Sequence, residues 1–260
     1  MASRHPAKGT IMILTGKVAL VLGASRSMGR LFALDLASQG AAVAVHYNSP
    51  SSRTDAQAVV AEIDARGGKA ALFQADMTQL DQLSGLFDGV EEEFGGIDIV
   101  VNTAGKIIKK PVAEVTEAEF DDLHAVNNKA AFFTLGEAAR RLRDQGRIVS
   151  VSTSLTAATT GLYSAYAGGK AALEAYTRAL AKEIGGRGIT VNVLCPGPLD
   201  TPFFHANASP EAVTMAKAMS VTGQLGDIRD LVGLVRLLVS PEGRWITGQA
   251  ILINGGMVAR

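Results

Sequence analysis

Seven short apolar, β-branched runs recur along this chain at wide spacing. They are KVALVLG at 17–23, AAVAVHY at 41–47, KAALFQA at 69–75, IDIVVN at 97–102, RIVSVS at 147–152, ITVNVL at 189–194 and QAILIN at 249–254. Each is continuously apolar, the pattern of strands buried on both faces. Between them lie helix-length segments with apolar residues at helical spacing, among them 28–40, 80–95 and 117–146. Strand and helix alternate from end to end, which predicts parallel β-α-β units. No linker, repeat or low-complexity tract divides the chain. The expectation is one α/β domain over residues 16–260. Its core is a doubly wound parallel sheet of about seven strands with helices on both faces, preceded by a flexible extension at 1–15.

Composition narrows the function. Hydrophobic residues make up 47% of the 260 positions, enough for a sizeable core. Twenty-five basic residues balance twenty-five acidic ones with no basic stripe, which argues against nucleic acid as a partner. The longest apolar runs, such as 18–24, are too short to span a bilayer. The opening MASRHPAKGT lacks the apolar run and cleavage site of a signal peptide. A single cysteine, Cys195, excludes an internal disulfide and a cysteine-built zinc site, and no metal is expected. A cytoplasmic enzyme is the default class.

In such sheets ligands bind beyond the carboxyl ends of the strands. After the first strand comes GASRSMG, from Gly23 through Ser25, Arg26, Ser27 and Met28 to Gly29, running into a helix. A glycine-rich turn there brings backbone N–H groups and a helix N-terminus to a pyrophosphate; a plain structural turn is the alternative. The second strand ends in His46, Tyr47, Asn48 and Ser49, with no carboxylate to hold an adenosine ribose. Arg26 and Arg53 offer cations and Asn48 and Ser49 neutral donors, so NADP(H) is favoured over NAD(H). The third strand ends at Asp76 and Met77, where the carboxylate serves either an adenine amine or the cap of the next helix. The fourth runs into NTAG, where Asn102, Ala104 and Gly105 offer a small-residue floor for a cofactor.

YSAYAGGKAALEAY, at 163–176, reads as helix despite the adjacent Gly168 and Gly169. Tyr166 and Lys170, four residues apart, share a helix face. A free phenol titrates near 10, and a neighbouring cation favours phenolate. The pair is therefore a candidate acid–base unit, and the glycines would let a ligand lie close. A surface Tyr–Lys pair is the plainer reading of spacing alone.

Together, Tyr166-x-x-x-Lys170, GASRSMG, NTAG and CPGP at 195–198 resemble the short-chain dehydrogenase/reductase family from about Lys17 to Gly256. HYNSPSS and GRWITGQ point to its trihydroxynaphthalene reductase-like and 3-oxoacyl-carrier-protein reductase-like branches. The resemblance implies a Rossmann fold and carbonyl reduction by hydride transfer. It makes Tyr166 the acid–base, and Lys170 the group that lowers its pKa and binds the nicotinamide ribose. Asn127 would hold a relay water. A hydroxyl after the fifth strand would bind the substrate oxygen; Thr153 and Ser154 are the candidates, flanked by Ser152. Pro196, Gly197, Leu199 and Thr201 would run beside the nicotinamide. The pattern breaks at Leu22, where threonine is usual, and at Ser27, where the middle glycine is usual. Both breaks concern cofactor affinity.

The segment 199–223 reads as a lid, and its Phe203, Phe204, Met215 and Met219, with Leu155, Leu162 and Tyr163, suggest a ketone or quinone. Lys106, Lys109 and Lys110 suit an anionic substrate or a solvated loop. The resemblance also implies a homotetramer or dimer through the helices at 130–140 and 172–184. The alternative function is a non-catalytic NADP(H)-binding regulator on the same fold.

Overall fold

The structure is a computed structural model that describes residues 12–158, 160–206 and 208–259. Its seven strands are β1 (Val18–Leu22), β2 (Ala42–Tyr47), β3 (Lys69–Gln74), β4 (Ile97–Asn102), β5 (Leu142–Val151), β6 (Thr190–Pro196) and β7 (Ala250–Ile253). All pair in parallel, in the order β3-β2-β1-β4-β5-β6-β7. Nine helices accompany them among the described residues: α1 (Ser27–Ser38), α2 (Arg53–Ala65), α3 (Leu80–Phe94), α4 (Glu117–His124), α5 (Ala131–Arg141), α6 (Ser164–Ile184), α7 (Pro202–His205), α8 (Pro210–Met219) and α9 (Val232–Val239).

The continuous apolar strands have the predicted consequence. In β1, Ala19 and Val21 join one buried cluster with Phe32, Val59 and Val235 of α1, α2 and α9. Val18, Leu20 and Leu22 join a second with Phe87, Leu135 and Leu173 of α3, α5 and α6. Alternate side chains of one strand thus feed two layers, as the period of two requires. The edge strand β3 departs from that expectation: its ends are exposed and its middle half-buried, because only one neighbour covers it.

The helix expected over 117–146 is interrupted. α4 gives way to a π-helical turn at Ala125–Ala130 before α5 resumes. The helix then ends at Arg141, and Leu142, buried, pairs with Ile97 in the sheet. Arg143 bonds to Asp98 and to the Gly95 carbonyl, so the chain is already held at the start of β4 four residues before Arg147. The extension expected over 1–15 falls mostly outside the described residues. Its last four belong to the packed domain: Leu14 is buried and its N–H donates to the Gln39 carbonyl.

After β1 the chain moves to β2 on one side, while β4 lies on the other. That reversal opens a crevice at the carboxyl ends of β1 and β4, the place where a ligand binds in such a sheet.

Candidate active site

The turn after β1 lies at this crevice. Gly23 adopts φ 74°, and α1 starts so close above it that a Cβ on Gly29 would sit 2.1 Å from the Gly23 carbonyl oxygen. Only glycine permits that approach, which brings the first amides of α1 over the strand ends. Ser27 adopts φ 51°, the left-handed region that a middle glycine would occupy without cost. Ser25 is buried, Met28 packs on the core, and Arg26 is exposed beside the turn.

The ends of β2 and β3 border the same cleft. Tyr47 is buried; Ser49 bonds to Ser51, and Asn48 is exposed. Asp76 accepts from the N–H and hydroxyl of Thr78, turning the chain towards α3, whose cap position is Gln79. Met77 is a core residue. After β4, the Asn102 side chain accepts from the Ala104 N–H at 3.0 Å, curling the backbone under the crevice.

The catalytic candidates converge from four elements. Tyr166 and Lys170 project from α6 and are both buried. The Lys170 ammonium donates to the carbonyls of Val151 at 2.9 Å and Ala104 at 3.3 Å, joining β5 to the loop after β4. Gly105 makes room for it: a Cβ there would lie 2.9 Å from Lys170 Nζ and 3.3 Å from Asn127 Oδ1. Asn127 sits in the π-helical turn, and its amide both accepts from the Lys106 N–H and donates to the Lys106 carbonyl, at 2.9 and 2.8 Å. The extra residue of a π-turn swings one side chain out of helical register; here it coincides with the residue facing Lys170.

The three hydroxyls after β5 have separate partners. Ser152 donates to the Lys170 carbonyl at 3.1 Å and Ser154 to the Cys195 carbonyl at 2.7 Å, so both tie β5 to its neighbours. Thr153 is the one whose hydroxyl acts on the Tyr166 phenol, favouring its ionised form. Tertiary contacts thus separate alternatives that sequence counting left together.

The electrostatics of the pair are set first by burial. Burial pushes the phenol up to about 12, outweighing the Thr153 hydrogen bond that favours phenolate. The ammonium is occupied by two carbonyls, and burial draws it down to about 8. Neither glycine inside α6 is required by a contact with the protein itself. A Cβ on Gly168 would meet open space, and one on Gly169 would make ordinary contact with Asn127 and His124 at 3.5 and 3.7 Å.

Beyond β6, Gly197 donates its N–H to the Ile253 carbonyl, and Pro196 ends the strand. Leu199 is buried, and Thr201 caps α7 by accepting from the Phe204 N–H at 3.2 Å. The expected lid comprises α7 and α8, with Phe203, Met215 and Met219 exposed. His205 bonds to Asp200 on the surface. Of the three lysines after β4, Lys106 pairs with Asp122 and Lys110 with Glu119, while Lys109 stands 5.7 Å over the Tyr163 ring. Sequence reasoning missed His46 and Thr103, whose side chains bond to the glycine turn. A lone imidazole ending an apolar strand, and a hydroxyl inside NTAG opposite the unbraced Leu22, were the available signals.

Residues 23–258 match the family described as enoyl-(acyl carrier protein) reductase. The chain is 39% identical to hydroxynaphthalene reductase-like protein Arp2 of Metarhizium brunneum, over 94% of this chain and 96% of that protein. It is 38% identical to an NADPH-dependent aldehyde reductase-like chloroplastic protein of Arabidopsis thaliana, over 94% and 95%. A dehydrogenase from Burkholderia cenocepacia, solved with bound NADP, is 45% identical and superposes with a TM-score of 0.93 over the whole of both chains. This chain belongs to the short-chain dehydrogenase/reductase family, in its trihydroxynaphthalene reductase-like branch.

Proposed function

We propose that the protein is an NADP(H)-dependent oxidoreductase that reduces a carbonyl, of ketone or quinone type, to the alcohol. The observation that carries this reading is the contact of the Thr153 hydroxyl with the buried Tyr166 phenol at the mouth of the crevice, with Lys170 and Asn127 behind it.

The residues present fit the cofactor. The close seat of Gly29 on Gly23 leaves a cradle without side chains for a pyrophosphate. Exposed Arg26 supplies a cation for a 2′-phosphate, Arg53 begins α2 nearby, and no carboxylate ends β2. The loop after β4 and Pro196, Gly197, Leu199 and Thr201 border the nicotinamide end. Bound NADPH supplies the hydride.

The protein's own part is orientation and a proton. Thr153 and Tyr166 direct two hydroxyls at the substrate oxygen, polarising the carbonyl as charge develops on it. The phenol stays protonated throughout the neutral range, since burial holds it near 12. That is the form reduction requires: Tyr166 gives its proton to the incipient alkoxide. Lys170 holds the nicotinamide ribose and replenishes the proton, with Asn127 holding the water that links it to solvent. Tyr163, half-buried beside Tyr166 with ring centroids 6.4 Å apart, offers an aromatic wall beside the phenol, and Phe203 and Met219, exposed on the expected lid, would supply further apolar surface to a bound substrate.

Phe132 and Tyr176 of α5 and α6 pack edge to face, with Phe132 and Phe133 exposed, which suits a dimer or tetramer through these helices; light scattering tests it. A cytoplasmic setting belongs to the same reading, and fractionation tests that. For the chemistry, Tyr166→Phe is the decisive variant. It should bind NADPH as the wild type does and lose about 10²–10⁴-fold in turnover across a panel of ketones, aldehydes and quinones. Undiminished turnover would end the mechanism. Tight NADPH binding by the wild type with no turnover on any carbonyl would favour a non-catalytic regulator.

A further inference from the structure

The family resemblance leaves the glycine turn one brace short, because Leu22 has no polar atom in its side chain and is fully buried. Backbone N–H groups hold an anion well only when their directions are fixed before it arrives. Two side chains from the flanking strands meet the turn instead.

From β4, the Thr103 hydroxyl donates to the Leu22 carbonyl at 2.7 Å and approaches the Gly23 carbonyl at 3.4 Å. The Thr103 N–H reaches the same Leu22 carbonyl at 3.1 Å. The space a Cβ would need on Gly29 is bounded by this hydroxyl at 2.8 Å. One oxygen therefore touches the end of β1 and the start of α1 together.

From β2, the His46 ring, 1% exposed, accepts the Gly23 N–H on Nδ1 at 3.1 Å. Its Nε2 lies 2.9 Å from the Ala75 carbonyl beyond β3, which can only accept. The proton therefore resides on Nε2, and Nδ1 keeps its lone pair for Gly23. The His46 carbonyl also accepts the Ala24 N–H at 2.9 Å. Two successive amides of the turn are thus tied to one residue.

We infer that Thr103 and His46 are positioning residues that fix the Gly23–Gly29 turn from opposite sides and set its affinity for the phosphates of NADP(H). This rests on reading that turn as the cofactor cradle. The hydroxyl, one residue past the neighbouring strand β4, braces the turn where the apolar Leu22 side chain cannot. The ring must stay neutral to accept from Gly23. Burial draws it down to about 4, and Asp76, just past the end of β3, is the charged group acting on it; the glycine turn on its other side carries one charged group, Arg26, which is exposed.

The test is a fluorescence titration of NADPH into the full chain. It uses the wild type, Thr103→Val, Thr103→Ser, His46→Phe and His46→Asn. An asparagine amide oxygen falls near the place of Nδ1 and keeps the acceptor. Thr103→Val and His46→Phe should each raise the Kd about fivefold or more, the effect of one hydrogen bond. Thr103→Ser and His46→Asn should return it to within about twofold, a repair that loss of packing alone would not give. Wild-type affinity in Thr103→Val and His46→Phe, or weakened binding that neither conservative variant repairs, overturns the inference. Absence of NADPH binding by the wild type would instead overturn the functional reading, and the inference with it.

Discussion

Gly105 and Lys170 lie so close that a methyl group on the glycine would stand 2.9 Å from the ammonium nitrogen. The loop after β4 and helix α6 therefore specify each other. The long side chain reaches its two carbonyls only because the loop presents a bare Cα there.

Gly105→Ala tests that relationship. The alanine must push Lys170 away from Val151 and Ala104, while the fold keeps its buried clusters. Turnover should fall at least about tenfold, the consequence of roughly 1.4 kcal/mol of lost positioning. Thermal stability should change by far less than for a core truncation. Steady-state kinetics beside a melting curve decides it; unaltered kinetics would separate the two residues.

Lys170 also sets a pH limit. Its ammonium, drawn down to about 8 by burial, is charged at neutral pH and loses its proton as pH rises through that value. If the charge holds the nicotinamide ribose, the KM for NADPH should rise above pH 8. Initial rates from pH 6 to 10 would show the break. A flat profile across that window would dissociate the charge from cofactor binding.

Acid should act through His46. Its folded pKa, about 4, lies below the ordinary value of 6.5, so between those limits the unfolded chain binds a proton that the folded chain refuses. Stability from this group is complete above pH 6.5 and is lost as pH falls towards 4, by roughly 3 kcal/mol in all. His46→Asn, which cannot titrate, should flatten that part of the stability curve in denaturant titrations. An equally steep acid loss in the variant would assign it to other groups.

Ser27 carries backbone strain that glycine would relieve. At φ 51° a side chain costs about 1 kcal/mol. Ser27→Gly should raise the melting temperature by about 2–4 °C, the shift for 1 kcal/mol in a chain of this size. A lower melting temperature would show that the serine hydroxyl contributes more than the strain costs.

Arg26 should govern cofactor choice. Removing it with Arg26→Ala should weaken NADPH binding about tenfold and leave NADH binding nearly unchanged, since a charged hydrogen bond contributes about 1.5–3 kcal/mol. Parallel titrations of the two cofactors provide the comparison, and equal losses for both would remove the 2′-phosphate from its role.

The sequence by itself determined the layers and the edge at which the chemistry gathers. Continuous apolar strands such as β1 and β4 cannot be buried on both faces except between two helical layers, and parallel strands end together at one edge. Gly23, Asn102, Thr153, Tyr166 and Pro196 were therefore legible as neighbours from their places after strands or on the helix that follows. Contacts between elements decided the rest. Which hydroxyl meets Tyr166 depends on how β5 leaves the sheet, because Ser152 and Ser154 have the same chemistry but are bound to the Lys170 and Cys195 carbonyls. The break in the long helix at Ala125–Ala130 has no proline or glycine to announce it and is visible only where Asn127 turns towards the loop after β4. The titration of Tyr166 is likewise a tertiary property. Four-residue spacing brings an ammonium into the neighbourhood, but burial and the carbonyls of Val151 and Ala104 determine what that ammonium does.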